Sequence, residues 1–138
     1  MTRRPRVAAY VLDTWPIMAY FEDEPPAEAI EQLLANAHEK NIQLLMTVVN
    51  VAEVWYIEAR QTSTQNADQR LAELRDLGIQ FVPASEELAL RAARLKARLK
   101  MSLADCFAAA LAQQSTAELV TGDQEFRQAE PGVRILWV

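Results

Sequence analysis

The sequence predicts an α/β fold, a three-layer sandwich around a mostly parallel five-stranded sheet, and three observations carry that prediction. Short apolar runs alternate with helical patterns along the whole chain. The first of them, VAAYVL at 7–12, is unbroken rather than alternating, as a strand covered on both faces requires. Capping side chains, prolines and a glycine fall at the junctions between the two kinds of segment.

After that first strand, Asp13-Thr14-Trp15-Pro16 supplies a cap and an early proline for a short helix, which the acidic break EDEPP ends. Pro26 opens a second helix with Ile30, Leu33, Leu34 and Ala37 at helical spacing. IQLLMT is the second strand, and Thr47 caps the helix VVNVAEVWYIEAR that follows it. Ser63 or Thr64 caps the next, whose buried stripe is Ala67, Leu71 and Leu74, and Gly78 closes it before the strand IQFVP. Ser85 starts a helical region running to Lys100, with Leu88, Ala92, Leu95 and Leu99 on one face and Arg91, Arg94 and Arg98 along its flank. An alanine-rich helix at 104–113, the strand ELVT, a short helix from Gln124 and a last strand, VRILWV, complete the chain. With 138 residues, no repeat and no linker, residues 1–138 are expected to form a single domain.

Composition narrows the chemistry. No window reaches the roughly twenty apolar residues of a membrane span, and the apolar run behind MTRRPR stops at Asp13, short of a signal-peptide core; a cytoplasmic protein is expected. Cys106 is the only cysteine and is expected to be a small core residue; His38 is the only histidine and belongs to a polar helix end. Zinc held by histidine and cysteine is thereby excluded, and any metal must be bound through oxygen. The net charge of -5 argues against a nucleic-acid partner until some acids are assigned to one metal cluster. With four of the 19 acids set aside, the balance against 14 basic residues is nearly even.

Four acids are placed to form such a cluster, because ligands of a parallel sheet gather beyond the carboxyl ends of its strands. Asp13 ends the first strand, Asp123 follows the fourth, Glu53 lies in the helix after the second, and Asp105 lies in the helix before the fourth. Asp13, Asp123 and the Ser102–Asp105 stretch also fit a plainer role as helix caps. Glu53, among Val51, Ala52, Val54, Trp55, Tyr56 and Ile57, is expected to be buried and to need a cation or a proton. Four carboxylates at close range repel one another, a divalent cation relieves the repulsion, and hard oxygen ligands select magnesium or manganese.

LDT at 12–14, AEVWY at 52–56, SLADCFAAALA at 102–112 and LVTGDQEF at 119–126 together resemble the acidic motifs of the PIN-domain ribonucleases, especially the VapC-type toxins of bacterial toxin-antitoxin pairs. The resemblance implies a PIN-like fold and a magnesium site on Asp13, Glu53 and Asp105, with Asp123 as the fourth acid and Thr121 in support. It implies an endoribonuclease that cleaves by in-line attack of an activated water, leaving a 5′-phosphate and a 3′-hydroxyl, and that has an antitoxin partner and a homodimeric assembly. Two positions depart from the motifs: Trp15 stands where a small hydroxyl residue is usual, and Gln114-Ser115-Thr116 replaces a glycine turn. RNA would need cationic contacts, for which Arg91, Arg94 and Arg98 or Arg3, Arg4 and Arg6 are candidates. Trp15 and Trp55 are expected in the core rather than against bases.

Three rivals are weighed against this reading. A haloacid-dehalogenase-like phosphatase wants an aspartate where Trp15 stands, and a receiver domain wants one after the third strand, where the chain reads FVPASEE. The third is a PIN-fold protein that binds RNA or a partner without cutting it; the intact acids count against it, since a degenerate site has no reason to keep Glu53 among apolar neighbours.

Overall fold

The structure, a computed structural model, describes residues 8–138. Five strands form one sheet: β1 (Ala9–Leu12), β2 (Gln43–Thr47), β3 (Ile79–Val82), β4 (Glu118–Thr121) and β5 (Ile135–Trp137). Their order is β3-β2-β1-β4-β5, and every pairing is parallel, so the sheet is more uniform than the sequence suggests. Six α-helices connect them: α1 (Thr14–Phe21), α2 (Ala27–Glu39), α3 (Val48–Gln61), α4 (Thr64–Asp76), α5 (Glu86–Arg98) and α6 (Leu103–Gln114), with a 3-10 helix at Gln124–Ala129. The expected start of β1 at Val7 and the cluster Arg3, Arg4 and Arg6 lie outside the described residues.

β1 shows how the layers arise. Its residues alternate between two cores: Ala9 and Val11 join the α5 and α6 side, and Tyr10 and Leu12 join the α1 to α4 side. α6 is buried from Asp105 to Ala112, and its alanines let it lie close on the sheet. Cys106 is fully buried there, as expected of a core thiol, and burial pushes its pKa up. His38 is exposed in the last turn of α2.

The caps read from the sequence form. Thr47 accepts from the Asn50 N–H, Ser63 from that of Asn66, Ser85 from that of Leu88 and Ser102 from that of Asp105. Gly78, at φ +85°, closes the turn after α4 with its N–H on the Arg75 carbonyl.

The strand order reverses between β1 and β4. From β1 the chain builds outward through β2 and β3, then returns to place β4 and β5 on the other side. The crevice beyond the carboxyl ends of β1 and β4 is therefore the switch point at which sheets of this kind bind ligands. Asp13 directly follows β1, and Asp123 follows β4 after Gly122.

Candidate metal centre

Asp13 is 1% exposed at the end of β1, where its N–H donates to the Val120 carbonyl of β4. Its Oδ2 accepts from Thr121 Oγ1 at 3.0 Å and from the Trp15 N–H at 3.4 Å, so it does cap α1. Its other oxygen, Oδ1, is buried without a hydrogen-bond partner among the described residues. Burial, and then the charge of Asp105, push its pKa up to about 7, against the smaller opposing pull of the Thr121 hydroxyl. A cap needs one acceptor oxygen; the second is left facing an unmet demand for a donor or a cation.

Asp105 is 9% exposed in the first turn of α6. Its N–H is satisfied by Ser102 Oγ at 3.1 Å, so Ser102, not the aspartate, is the cap. Burial, and then Asp123, push the Asp105 carboxyl up to about 6. Asp123 is half-buried; its N–H donates to Thr121 Oγ1 at 3.1 Å, and its Oδ1 accepts from the Glu125 N–H at 3.0 Å. Thr121 thus holds both the first and the fourth acid from a single hydroxyl.

Glu53 departs from its expected surroundings. It is half-buried rather than enclosed, because Ala52 and Tyr56 turn to solvent and only Val51 and Val54 face the core. Its Oε1 accepts from Thr14 Oγ1 at 2.7 Å. The buried glutamate of α3 is Glu58, 4% exposed, which pairs with the Arg70 guanidinium at 3.3 Å.

The four acids meet in one open cavity of about 280 Å³. Asp13, Glu53, Asp105 and Asp123 line it together with Thr14, Glu24 and an apolar side that includes Trp15, Met18 and Ile57. Carboxylate oxygens of Asp105, Asp123 and Glu125 lie within 4.8 Å of one another. A hard divalent cation fits this donor set: oxygens only, an excess of negative charge, and one buried carboxylate oxygen with no protein donor.

Several contributors escape the sequence reading. Asn50, fully buried one turn before Glu53, donates from Nδ2 to Thr14 Oγ1 and to the Ala104 carbonyl, each at 3.3 Å, and accepts from Thr47 Oγ1 at 2.5 Å. It ties α1, α3 and α6 together behind the acids. The signal was a lone amide inside the apolar run VVNVAEVW, where the argument applied to Glu53 holds better for Asn50. Glu125, three residues after the glycine of LVTGDQEF, joins because Asp123 turns the chain back at once. Trp55 is not core either: half-buried, it donates from Nε1 to Asp68 at 2.9 Å and braces α3 on α4. Arg91, Arg94 and Arg98 line a separate groove with Glu87 and Gln113, outside the acidic cavity.

Among solved structures the chain resembles VapBC2 from Rickettsia felis bound to a promoter DNA fragment (TM-score 0.73, 19% identity, covering 93% of this chain and 97% of that one). It also resembles Mycobacterium tuberculosis VapC20, described as a sarcin-ricin loop cleaving toxin (TM-score 0.71, 15% identity, 87% and 94%). VapBC-5 from M. tuberculosis, a member of the VapBC family of toxin-antitoxin systems, is similar at TM-score 0.60 and 24% identity, covering 95% and 99%. Comparison with curated protein sequences finds no match. The model of the PIN domain matches residues 10–130, a span that holds most of β1, the switch-point crevice and all four acids, and the chain belongs to the PIN domain family.

Proposed function

We propose that this protein is a magnesium-dependent endoribonuclease, with manganese as a substitute, and that it is the toxin of a toxin-antitoxin pair acting in the cytoplasm. The observation that carries the reading is Asp13 Oδ1, a buried carboxylate oxygen with no donor among the described residues, on a residue that lines one cavity together with three other acids. The similarity to a toxin that cleaves the sarcin-ricin loop, and to toxin-antitoxin systems, supports the choice of RNA as substrate and of an antitoxin as partner. A homodimer is carried over from the family resemblance. No helix among the described residues is long and apolar enough to cross a membrane.

Asp13, Asp105, Asp123 and Glu53 would hold the cation. The chemistry it supplies when bound is activation of water for attack on phosphorus and neutralisation of phosphate charge. The chain's own part is positional. Thr121 fixes Oδ2 of Asp13 and leaves Oδ1 free, Thr14 orients Glu53, and Asn50 holds Thr14 against the first turn of α6. In the absence of a cation, Asp13 and Asp105 share the burden by keeping protons to a pH well above the usual carboxylate range.

The deciding experiment incubates the purified protein with total RNA, with and without magnesium, and maps new ends. Discrete cuts bearing 5′-phosphates, formed with magnesium or manganese and abolished by excess EDTA, are expected. Undiminished cleavage in EDTA refutes the metal assignment, and RNA binding without any cleavage establishes the non-catalytic alternative.

A further inference from the structure

The acidic cavity has a second wall whose chemistry the four acids do not use. Trp15, Met18 and Ile57, each half-buried, present apolar side chains to the same 280 Å³ space. Trp15 is seated in an unusual way. A Cβ placed on Gly122 would lie 2.3 Å from the indole Cη2 and Cζ3 and 2.8 Å from Cε3. The ring therefore occupies the volume that any other residue at position 122 would fill. The backbone N–H of Trp15 donates to Asp13 Oδ2, and Gly122 stands between Thr121, which holds Asp13, and Asp123. One side of the indole is thus seated on Gly122 beside the acids, and Trp15, packed against the core on the α1 to α4 side, also lines the cavity.

Resting on the nuclease reading, we propose that Trp15 is a base-stacking residue: it receives one unpaired nucleobase next to the scissile phosphate, with Gly122 as the seat that keeps the ring in place. Two features support this occupant. An indole is a stacking surface that accepts any base, because every base has a π-face, and single-stranded nucleic acid is bound in this way. The acids beside it address the phosphate through a cation and leave the base without another partner. Trp15 and Gly122 form an interlocked pair, since the ring can lie where it does only against a residue without a side chain.

The test measures affinity for a fluorescein-labelled unstructured RNA 12-mer, its duplex, and a single strand of the same length with abasic riboses, in calcium, which binds oxygen ligands but positions water poorly for turnover. Wild type is compared with Trp15→Phe, Trp15→Ala and Gly122→Ala, after thermal unfolding confirms that each is folded. Trp15→Ala should weaken single-strand binding by roughly tenfold or more, and Trp15→Phe should retain most of it. Gly122→Ala, which places a methyl group in the volume the ring occupies, should match Trp15→Ala because it evicts the ring. All variants should bind the abasic strand equally. Equal affinity of wild type and Trp15→Ala for the base-bearing strand overturns the proposal and leaves this wall to a protein partner, without touching the nuclease reading. The same loss on the abasic strand also overturns it, by assigning the effect to the position of Asp13. A wild-type protein that neither binds nor cleaves any RNA overturns both.

Discussion

Two carboxylates are buried to almost the same degree, Asp13 at 1% exposure and Glu58 at 4%, and their surroundings could hardly differ more. Glu58 has Arg70 at 3.3 Å and the Thr62 hydroxyl at 3.4 Å, and the same guanidinium lies over the Phe21 ring at 4.5 Å, pinning α4 and α3 to α1. Asp13 has donors on one oxygen only, and its nearest charged influence is another carboxylate, Asp105. A buried acid that the fold supplies with a cation is part of the scaffold. One that the fold surrounds with further acids costs free energy in the isolated chain, and that cost is recovered when something positive arrives.

The strongest way to break this contrast is to neutralise the acids one at a time. Asp105→Asn and Asp13→Asn should each remove magnesium-dependent RNA cleavage by about 100-fold or more while the circular dichroism spectrum stays native, since a neutral amide is a poorer ligand and cannot offset a cation's charge. Normal cleavage by either variant would remove that residue from the site.

On the scaffold side the sign reverses. Arg70→Ala strands Glu58 and should cost about 2–3 kcal/mol in urea denaturation, less than a fully enclosed pair would because the Arg70 side chain is 30% exposed. Arg70 lies outside the cavity, so cleavage should persist at temperatures below the lowered midpoint.

A third measurement sharpens the comparison through pH. Asp13 and Asp105 have folded-state pKa values raised to about 7 and about 6, so the folded chain binds more protons than the unfolded one between pH 4 and 7. Stability of the metal-free protein should accordingly fall as pH rises through that window, by roughly 2 kcal/mol after allowance for relaxation of the site. Added magnesium should flatten the slope, and Asp13→Asn should flatten it without magnesium. A midpoint that rises from pH 5 to pH 7 in EDTA would contradict the assignment.

The smallest effect separates a cap from a ligand. Ser102→Ala removes the acceptor for the Asp105 N–H and should cost about 1 kcal/mol of stability while leaving most of the cleavage activity intact. Loss of activity equal to that of Asp105→Asn would mean that the cap aims the carboxylate as well as ending the helix.

The fold was legible because its signals are local. VAAYVL, IQLLMT and ELVT are apolar enough for interior strands, and Thr47, Ser63, Ser85 and Ser102 announce the helices they cap. The acids at the strand ends followed from the same map. What stayed hidden depends on which way a helix faces after packing. Glu53 sits in an apolar stretch yet turns half outward, while Glu58, five residues on, turns in. Arg70, which makes Glu58 tolerable, is 12 residues away in another helix. The seat of Trp15 on Gly122 joins segments more than a hundred positions apart, and no local pattern carries it.

That separation also orders events during synthesis. The hydrogen bond between Thr121 and Asp13 closes 108 positions of chain, and β1 lies in the middle of the sheet with β4 as one of its two neighbours. Asp13 emerges from the ribosome first, and Thr121 that holds it, Gly122 beneath Trp15 and the fourth acid, Asp123, follow only after the whole intervening 108-position span. Domains fold as units once their long-range partners exist, and distant pairings form late. A ribosome-tethered chain is therefore without a formed cavity until β4 emerges, so a protein proposed to cut RNA lacks its complete site until that strand is translated.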